Sequence, residues 1–219
     1  AISETDDVVE FAPGTGYTAE RTLDRNPQSY TAVELDRAAA TALRERFGDA
    51  CEIRVGNAGN TDLEPQSADV VYGEAMVTLQ PDDGKAEIFA EAARLLRPGG
   101  RYGIHELGLI PDDIAPATKT AIYDDLAEVT RVNSRPLTES EWIDRLAAAG
   151  FDVTSIGRAP MALLSPRRVV ADEGLLGTLK FGYNVLTTPA ARRRIRAMRS
   201  VLARYDEQLN AIAVVAEPQ

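Results

Sequence analysis

The alternation of short apolar runs with helical repeats limits what this chain can fold into more than any other feature. Val8 to Ala12, Tyr30 to Glu34 and Cys51 to Val55 read as strands, with helices from about Tyr17 and from Asp36 to Phe47 between them. Such a βαβαβ series needs crossover connections, and those produce a parallel sheet. Ala68 to Tyr72 adds a fourth strand, and after Pro81 the residues Ile88, Ala92 and Leu95 recur at helical spacing. Arg97-Pro98-Gly99-Gly100 stops that helix, and Arg101 to Leu107 forms a fifth strand. Thr138-Glu139-Ser140-Glu141 is a capping-box sequence opening a helix that ends at Gly150. Phe151 to Ile156 is then a sixth strand and Asn210 to Ala216 the last.

More than fifty residues separate those two strands, too many for an ordinary connection. A single domain over 1–219 with a helical insertion or lid over 161–207 is expected. Thr188 and Pro189 open the insertion's second half, where Ala191, Ile195, Met198, Leu202 and Tyr205 mark an amphipathic helix. Its remaining faces carry Arg192, Arg193, Arg194, Arg196, Arg199 and Arg204, which read as a solvated surface ahead of an anion-binding one. Met161 to Tyr183 mixes apolar residues with Glu173, Phe181 and Tyr183, a composition that suits a lid over a small-molecule pocket, an accessory helix or a dimer contact.

A formal charge of −10 repels a polyphosphate, so DNA and RNA are not expected partners. Cys51, the one cysteine, has no partner for an internal disulfide and reads as a small apolar residue at the start of a buried strand. No apolar run reaches the about 18 residues of a membrane span, and Glu4, Asp6 and Asp7 are unlike a signal peptide. A cytoplasmic setting without membrane contact is expected. The chain starts at Ala1 a few residues before its first strand, which suggests that some native N-terminal sequence precedes it. Any oligomer is expected to be a homodimer, the commonest arrangement.

The sharpest local signal is Val8-Val9-Glu10-Phe11-Ala12-Pro13-Gly14-Thr15-Gly16, a strand running into a glycine turn and then a helix. Glycines there let a ligand approach backbone that a Cβ would block. Gly14, Gly16 and Ala19 also satisfy the dinucleotide fingerprint, with Glu34 at the distance of a ribose-binding acid, so a nicotinamide-dependent oxidoreductase is one reading. Three details oppose it. Glu10 places an acid where a pyrophosphate wants none and suits a ligand carrying an ammonium group. Pro13 removes an N–H that a phosphate would use. The pattern also continues as one compact domain, with no separate catalytic half.

From residue 7 to about 107, with further agreement to the end, the sequence resembles the class I S-adenosylmethionine-dependent methyltransferase family. Glu10 to Gly16 is similar to its first motif, E/D-x-G-x-G-x-G, with Ala12 in place of the first glycine. Ala32-Val33-Glu34-Leu35-Asp36 resembles the second, which implies that Glu34 binds the ribose hydroxyls and Leu35 packs on adenine. Val55-Gly56-Asn57-Ala58 resembles the third, with Asn57 where the family usually has Asp, and an Asn carbonyl can still accept from the adenine amino group. Ser67 to Val71 looks like the fourth strand, which puts Gly73 and Glu74 near the methionine moiety, and Leu96 to Gly100 matches the family's turn. The resemblance implies a Rossmann-like α/β fold, a doubly wound seven-stranded mostly parallel sheet whose last strand is reversed. It also implies S-adenosylmethionine as cofactor, with Glu10, Phe11, Ala12, Gly14, Gly16, Glu34, Leu35, Asn57, Ala58 and Glu74 around it. A catalytically silent cofactor-binding protein would share all of this.

Methyl transfer from a sulfonium is a direct displacement, in which the protein aligns the reactants and excludes water. Candidates beyond the C-terminal ends of the strands, where open α/β sheets bind ligands, are Glu74, Met76, His105 and Glu106. His105, the one histidine, reads either as a hydrogen-bonded core residue of the fifth strand or, with Glu106, as the catalytic base facing a small-molecule acceptor. Other chemistries lack their residues. There is no C-x-x-C, no second histidine after His105-Glu106, no G-x-S-x-G and no phosphate-binding G-x-x-x-x-G-K. No metal site is expected.

Overall fold

The computed structural model describes residues 1–160 and 189–219. Its strands are β1 (Asp7–Phe11), β2 (Ser29–Glu34), β3 (Glu52–Val55), β4 (Ala68–Glu74), β5 (Leu96–Leu109), β6 (Leu137–Thr138), β7 (Phe151–Pro160) and β8 (Leu209–Pro218). The helices are α1 (Tyr17–Leu23), α2 (Arg37–Phe47), α3 (Asp82–Leu95), α4 (Pro116–Thr130), α5 (Glu139–Ala148) and α6 (Pro189–Arg204).

The sheet runs β3-β2-β1-β4-β5-β8-β7, with the two-residue β6 attached to β5. Neighbours from β3 to β5 are parallel, while β8 lies antiparallel to both β5 and β7. This is the expected doubly wound sheet with a reversed last strand, and β6 makes an eighth. The alternation of side chains across each strand divides the core by face. On one face Val9, Phe11, Val71, Ile104 and Val214 meet Ile88 and Phe89 of α3 and Trp142 of α5. On the other, Val8, Ala32, Ile53 and Val70 meet Ala19 of α1 and Leu43 of α2. Strand order reverses at β1, where β2 lies on one side and β4 on the other, so the C-terminal ends of these three strands border a crevice of the kind that binds ligands.

Local chemistry sets the helix starts. Asp36 caps α2 by accepting from the amides of Ala38 and Ala39 at 2.7 and 2.9 Å, and Thr138 with Glu141 completes the capping box of α5. The helix α4 has no counterpart in the sequence reading. Only Ile122 and Leu126 of it are buried, and they pack with Leu109, Leu209 and Val201 of α6 in a satellite cluster. The amphipathic helix expected after Pro189 is α6, with Leu202 and Tyr205 partly buried against that cluster. Arg193, Arg196 and Arg199 are exposed on it, and Arg204 pairs with Asp125 at 2.7 Å. The lid segment Met161 to Tyr183 lies outside the described residues. Among the described residues no helix is long and apolar enough to cross a membrane. Cys51 precedes β3 and is half-buried instead of opening a buried strand.

Candidate functional site

The turn after β1 is shaped by three left-handed residues, Ala12 (φ 52°), Gly14 (φ 57°) and Gly16 (φ 79°). Parallel pairing sets Phe11 beside Val33, and the Ala12 N–H then donates to the Val33 carbonyl at 2.8 Å. The next contact across the strands is made by a side chain. Glu34 accepts the Gly14 N–H at 3.1 Å through one carboxylate oxygen and the Asp36 N–H at 2.9 Å through the other. Each oxygen keeps acceptor capacity. Beside it the Leu35 side chain is 70% exposed.

The two glycines do different work. A Cβ at Gly14 would meet nothing within 4 Å, whereas at Gly16 it would lie 2.6 Å from Phe47 Cε2 and 2.8 Å from Leu43 Cδ2. Gly14 therefore borders open space, and Gly16 permits α1 to pack on α2.

After β3, the Gly56 N–H donates to the Glu34 carbonyl at 3.0 Å, bringing the Asn57–Ala58 segment to the same edge. Asn57 is exposed and its Oδ1 accepts the Gly59 N–H at 2.9 Å, while Ala58 is buried. Further along, Glu91 of α3 holds Thr61 through its amide at 2.8 Å, and Arg94 holds the Leu63 carbonyl at 2.7 Å. The Arg94 guanidinium lowers the Glu91 carboxyl to about 2, so this anchor is ionised across the physiological range.

Glu10 lies beneath the turn, with its side chain buried. Both Tyr30 and Tyr72 donate their phenol O–H to the same carboxylate oxygen, Tyr72 at 2.6 Å. Thr22 of α1 lies 2.7 Å from the Tyr72 hydroxyl and extends the chain. Burial pushes the Glu10 carboxyl up to about 7 against the opposing pull of the two phenols, and nearby Glu74 adds to the rise. Phe11 is fully buried in the core, so only its backbone reaches the turn.

At the end of β4 the expected residues separate. Glu74 pairs with His105 of β5 in register, its Oε1 3.0 Å from His105 Nδ1, and its Oε2 accepts the Thr18 hydroxyl. The His105 side chain is 45% exposed, which corrects the core reading of this histidine. Period-2 alternation puts it on the face opposite Tyr102, Ile104 and Glu106. Glu106 is a second correction. Buried on the core face, it accepts the amides of Met76 and Val77 at 3.0 and 2.7 Å through one oxygen and that of Thr78 at 3.1 Å through the other. It anchors the loop after β4 and does not face an acceptor. Met76 is likewise buried, in the core cluster with Val77.

Sequence reasoning passed over Thr18, Thr22, Tyr30 and Tyr72. Two threonines one helical turn apart on α1 were the available signal for the first pair. The tyrosines looked like strand aromatics, and only the register of β1 with β2 and β4 turns their hydroxyls toward Glu10.

Residues 8–100 match the family described as a methyltransferase domain. An uncharacterized protein of Haemophilus influenzae is 29% identical over 221 residues, covering 99% of this chain and 86% of its own. The crystal structure of the MccD protein superposes with a TM-score of 0.75 at 15% identity, over 100% of this chain and 92% of that one. Phosphoethanolamine N-methyltransferase 2 of Haemonchus contortus, in complex with S-adenosyl-L-methionine, gives a TM-score of 0.75 at 18% identity, over 100% of this chain and 50% of that one. The match over residues 8–100, set in this sheet order, supports a class I S-adenosylmethionine-dependent methyltransferase family.

Proposed function

We propose that this protein catalyses transfer of the methyl group of S-adenosylmethionine to a small-molecule acceptor, in the cytoplasm. The observation that carries the reading is the Glu34–Gly14 bond across the mouth of the turn, with exposed Leu35 next to it and open space above Gly14. A nucleoside fits such a place. Glu34 has acceptor capacity left for two ribose hydroxyls, Leu35 offers apolar surface to a base, and Asn57 and Ala58 stand at the same edge. The turn backbone from Phe11 through Gly16 would follow the amino-acid portion, with the carboxyl of Glu10 below it.

Bound there, the cofactor supplies a methyl group on a sulfonium, an electrophile that needs no metal. The chain's own contribution is alignment and exclusion of water. Glu34 fixes the nucleoside end by hydrogen bonds already directed by two backbone amides, which lowers the cost of ordering it on binding. The loop after β4, held by Glu106, keeps the acceptor side in place.

Calorimetric titration with S-adenosylmethionine and S-adenosylhomocysteine, with NADH and NADPH alongside, tests the reading. Saturable binding of the first pair, abolished by Glu34→Ala, is expected. Binding of a nicotinamide cofactor alone would sink it.

A further inference from the structure

On the reading that this chain methylates a small molecule, we infer that Arg135 sets the class of acceptor by binding the carboxylate or phosphate of a small organic anion. Its role is recognition, with no part in the displacement itself.

Arg135 stands beside the loop that leaves the end of β4. Ala75 opens that loop by donating its amide to the His105 carbonyl at 2.8 Å, and the Thr78 carbonyl accepts the Arg135 N–H, also at 2.8 Å. Between these two points the amides of Met76, Val77 and Thr78 are held by Glu106. Thr78 is four residues beyond the end of β4, at most about 14 Å of chain, and the long Arg135 side chain adds its own reach. An acceptor whose reacting atom lies over the ends of β4 and β5 can therefore extend its other end to the guanidinium. From the opposite side Tyr123 of α4 donates its hydroxyl to the Pro136 carbonyl at 2.9 Å, and its ring centroid lies 5.7 Å from the Arg135 guanidinium. The backbone is thus fixed from both sides while Arg135 is exposed, which lowers the cost of ordering it on a ligand.

The charges around it do not balance. Lys85 is wholly buried and donates to the Gln80 carbonyl at 2.6 Å. The charges acting on it are Asp82 and Glu106 against Arg135 and Arg145. With Lys85 itself that is three cations to two carboxylates, one positive charge in excess, on a chain of formal charge −10. Asp82 is taken by Arg145 at 2.8 Å, and Glu141 of α5 by Lys119. Among the described residues Arg135 has the Tyr123 ring for a partner and no carboxylate in ion-pair contact. The planar fork of an arginine matches a carboxylate or phosphate through two parallel hydrogen bonds. Leu79 and Val132, on the two loops that the Thr78–Arg135 bond joins, are 37% and 45% exposed and offer the apolar part of such an anion a surface. A neutral acceptor would leave the excess charge uncompensated, and a cationic one would be repelled by it.

The test is titration of the S-adenosylhomocysteine-loaded protein with hexanoate, hexyl phosphate, hexanol and hexylammonium, followed in 1H–15N spectra at low salt. The two anions are expected to bind saturably and to shift amides in 76–79 and 132–135, with hexanol and hexylammonium at least about tenfold weaker. Arg135→Gln should weaken anion binding roughly 10- to 100-fold, and Arg135→Lys should recover part of it. Arg25→Gln, at an exposed arginine beyond the end of α1, should leave it unchanged. Equal binding of hexanol, anion binding that survives Arg135→Gln, shifts confined to other residues, or no binding of either anion overturns the inference. Calorimetry with S-adenosylhomocysteine keeps the two claims apart. Absent binding refutes methyl transfer and the acceptor role of Arg135 with it, whereas binding without an Arg135-dependent preference for anions refutes Arg135 alone.

Discussion

Placing one methyl group at each glycine of the turn should separate stability from binding. Both positions are left-handed, with φ of 57° at Gly14 and 79° at Gly16, so alanine at either costs about 1–2 kcal/mol in backbone strain. At Gly16 the new Cβ also lies 2.8 Å from Leu43 Cδ2 and 2.6 Å from the Phe47 ring. The ring is half-buried and can swing, but Leu43 is 1% exposed and has nowhere to go. Overpacking of this kind costs about 1–3 kcal/mol more, giving a total of about 2–5 kcal/mol for Gly16→Ala. At Gly14 the strain stands alone, and the methyl enters the space assigned to the cofactor. Urea denaturation should therefore rank Gly16→Ala well below Gly14→Ala in stability, while calorimetry with S-adenosylhomocysteine should show the larger loss of affinity in Gly14→Ala. Equal destabilisation, or wild-type affinity in Gly14→Ala, would refute the division of labour.

Glu10 makes stability depend on pH with a definite sign. Its carboxyl rises from the usual 4.5 to about 7 on folding, so between those values the unfolded chain loses a proton that the folded one keeps. Stability should fall by about 3 kcal/mol over that window and then level off, and denaturant melts at pH 5 and pH 8 should lose this difference in Glu10→Gln. Glu106→Ala strips three backbone amides of their acceptor and should cost about 3–5 kcal/mol, readable as a lowered thermal midpoint; a near-neutral result would mean that water replaces the carboxylate. Ala12→Gly relieves a left-handed alanine at φ 52° and should change stability by no more than about 1 kcal/mol, in the favourable direction, in the same melts.

What was legible in the sequence was what depends on neighbours in the chain. Strand and helix periods in residues 8–107 and the capping box at Thr138 are local patterns, whereas the doubly wound arrangement of the sheet with its reversed last strand came from the family resemblance. Glu106 was misread because its partners are amides 28 to 30 residues earlier, and a carboxylate that binds backbone leaves no complementary residue type in the sequence. His105 was misread in the other direction. Alternation along β5 already separated it from Tyr102 and Ile104, but burial of the second face depends on what covers the sheet there. The helix α4 escaped because two buried side chains in fifteen residues are too few for a period to stand out. The Glu10 cluster was illegible for a related reason, since it joins β1, β2, β4 and α1, which meet only after the crossovers close.

The two threonines of α1 have a consequence for how this region moves. Thr18 and Thr22 are four residues apart on a helix, an advance of about 6 Å, and their partners Glu74 and Tyr72 are two apart on a strand, an advance of about 6.6 Å. The spacings are commensurate, so both rungs, Thr18 to Glu74 and Thr22 to Tyr72, form without bending either element. A helix fastened at two such points cannot slide along its strand by a fraction of a turn without breaking both. The first glycine turn and the end of β4 should therefore open together, and amide hydrogen exchange should record β1, α1 and β4 as one cooperative unit.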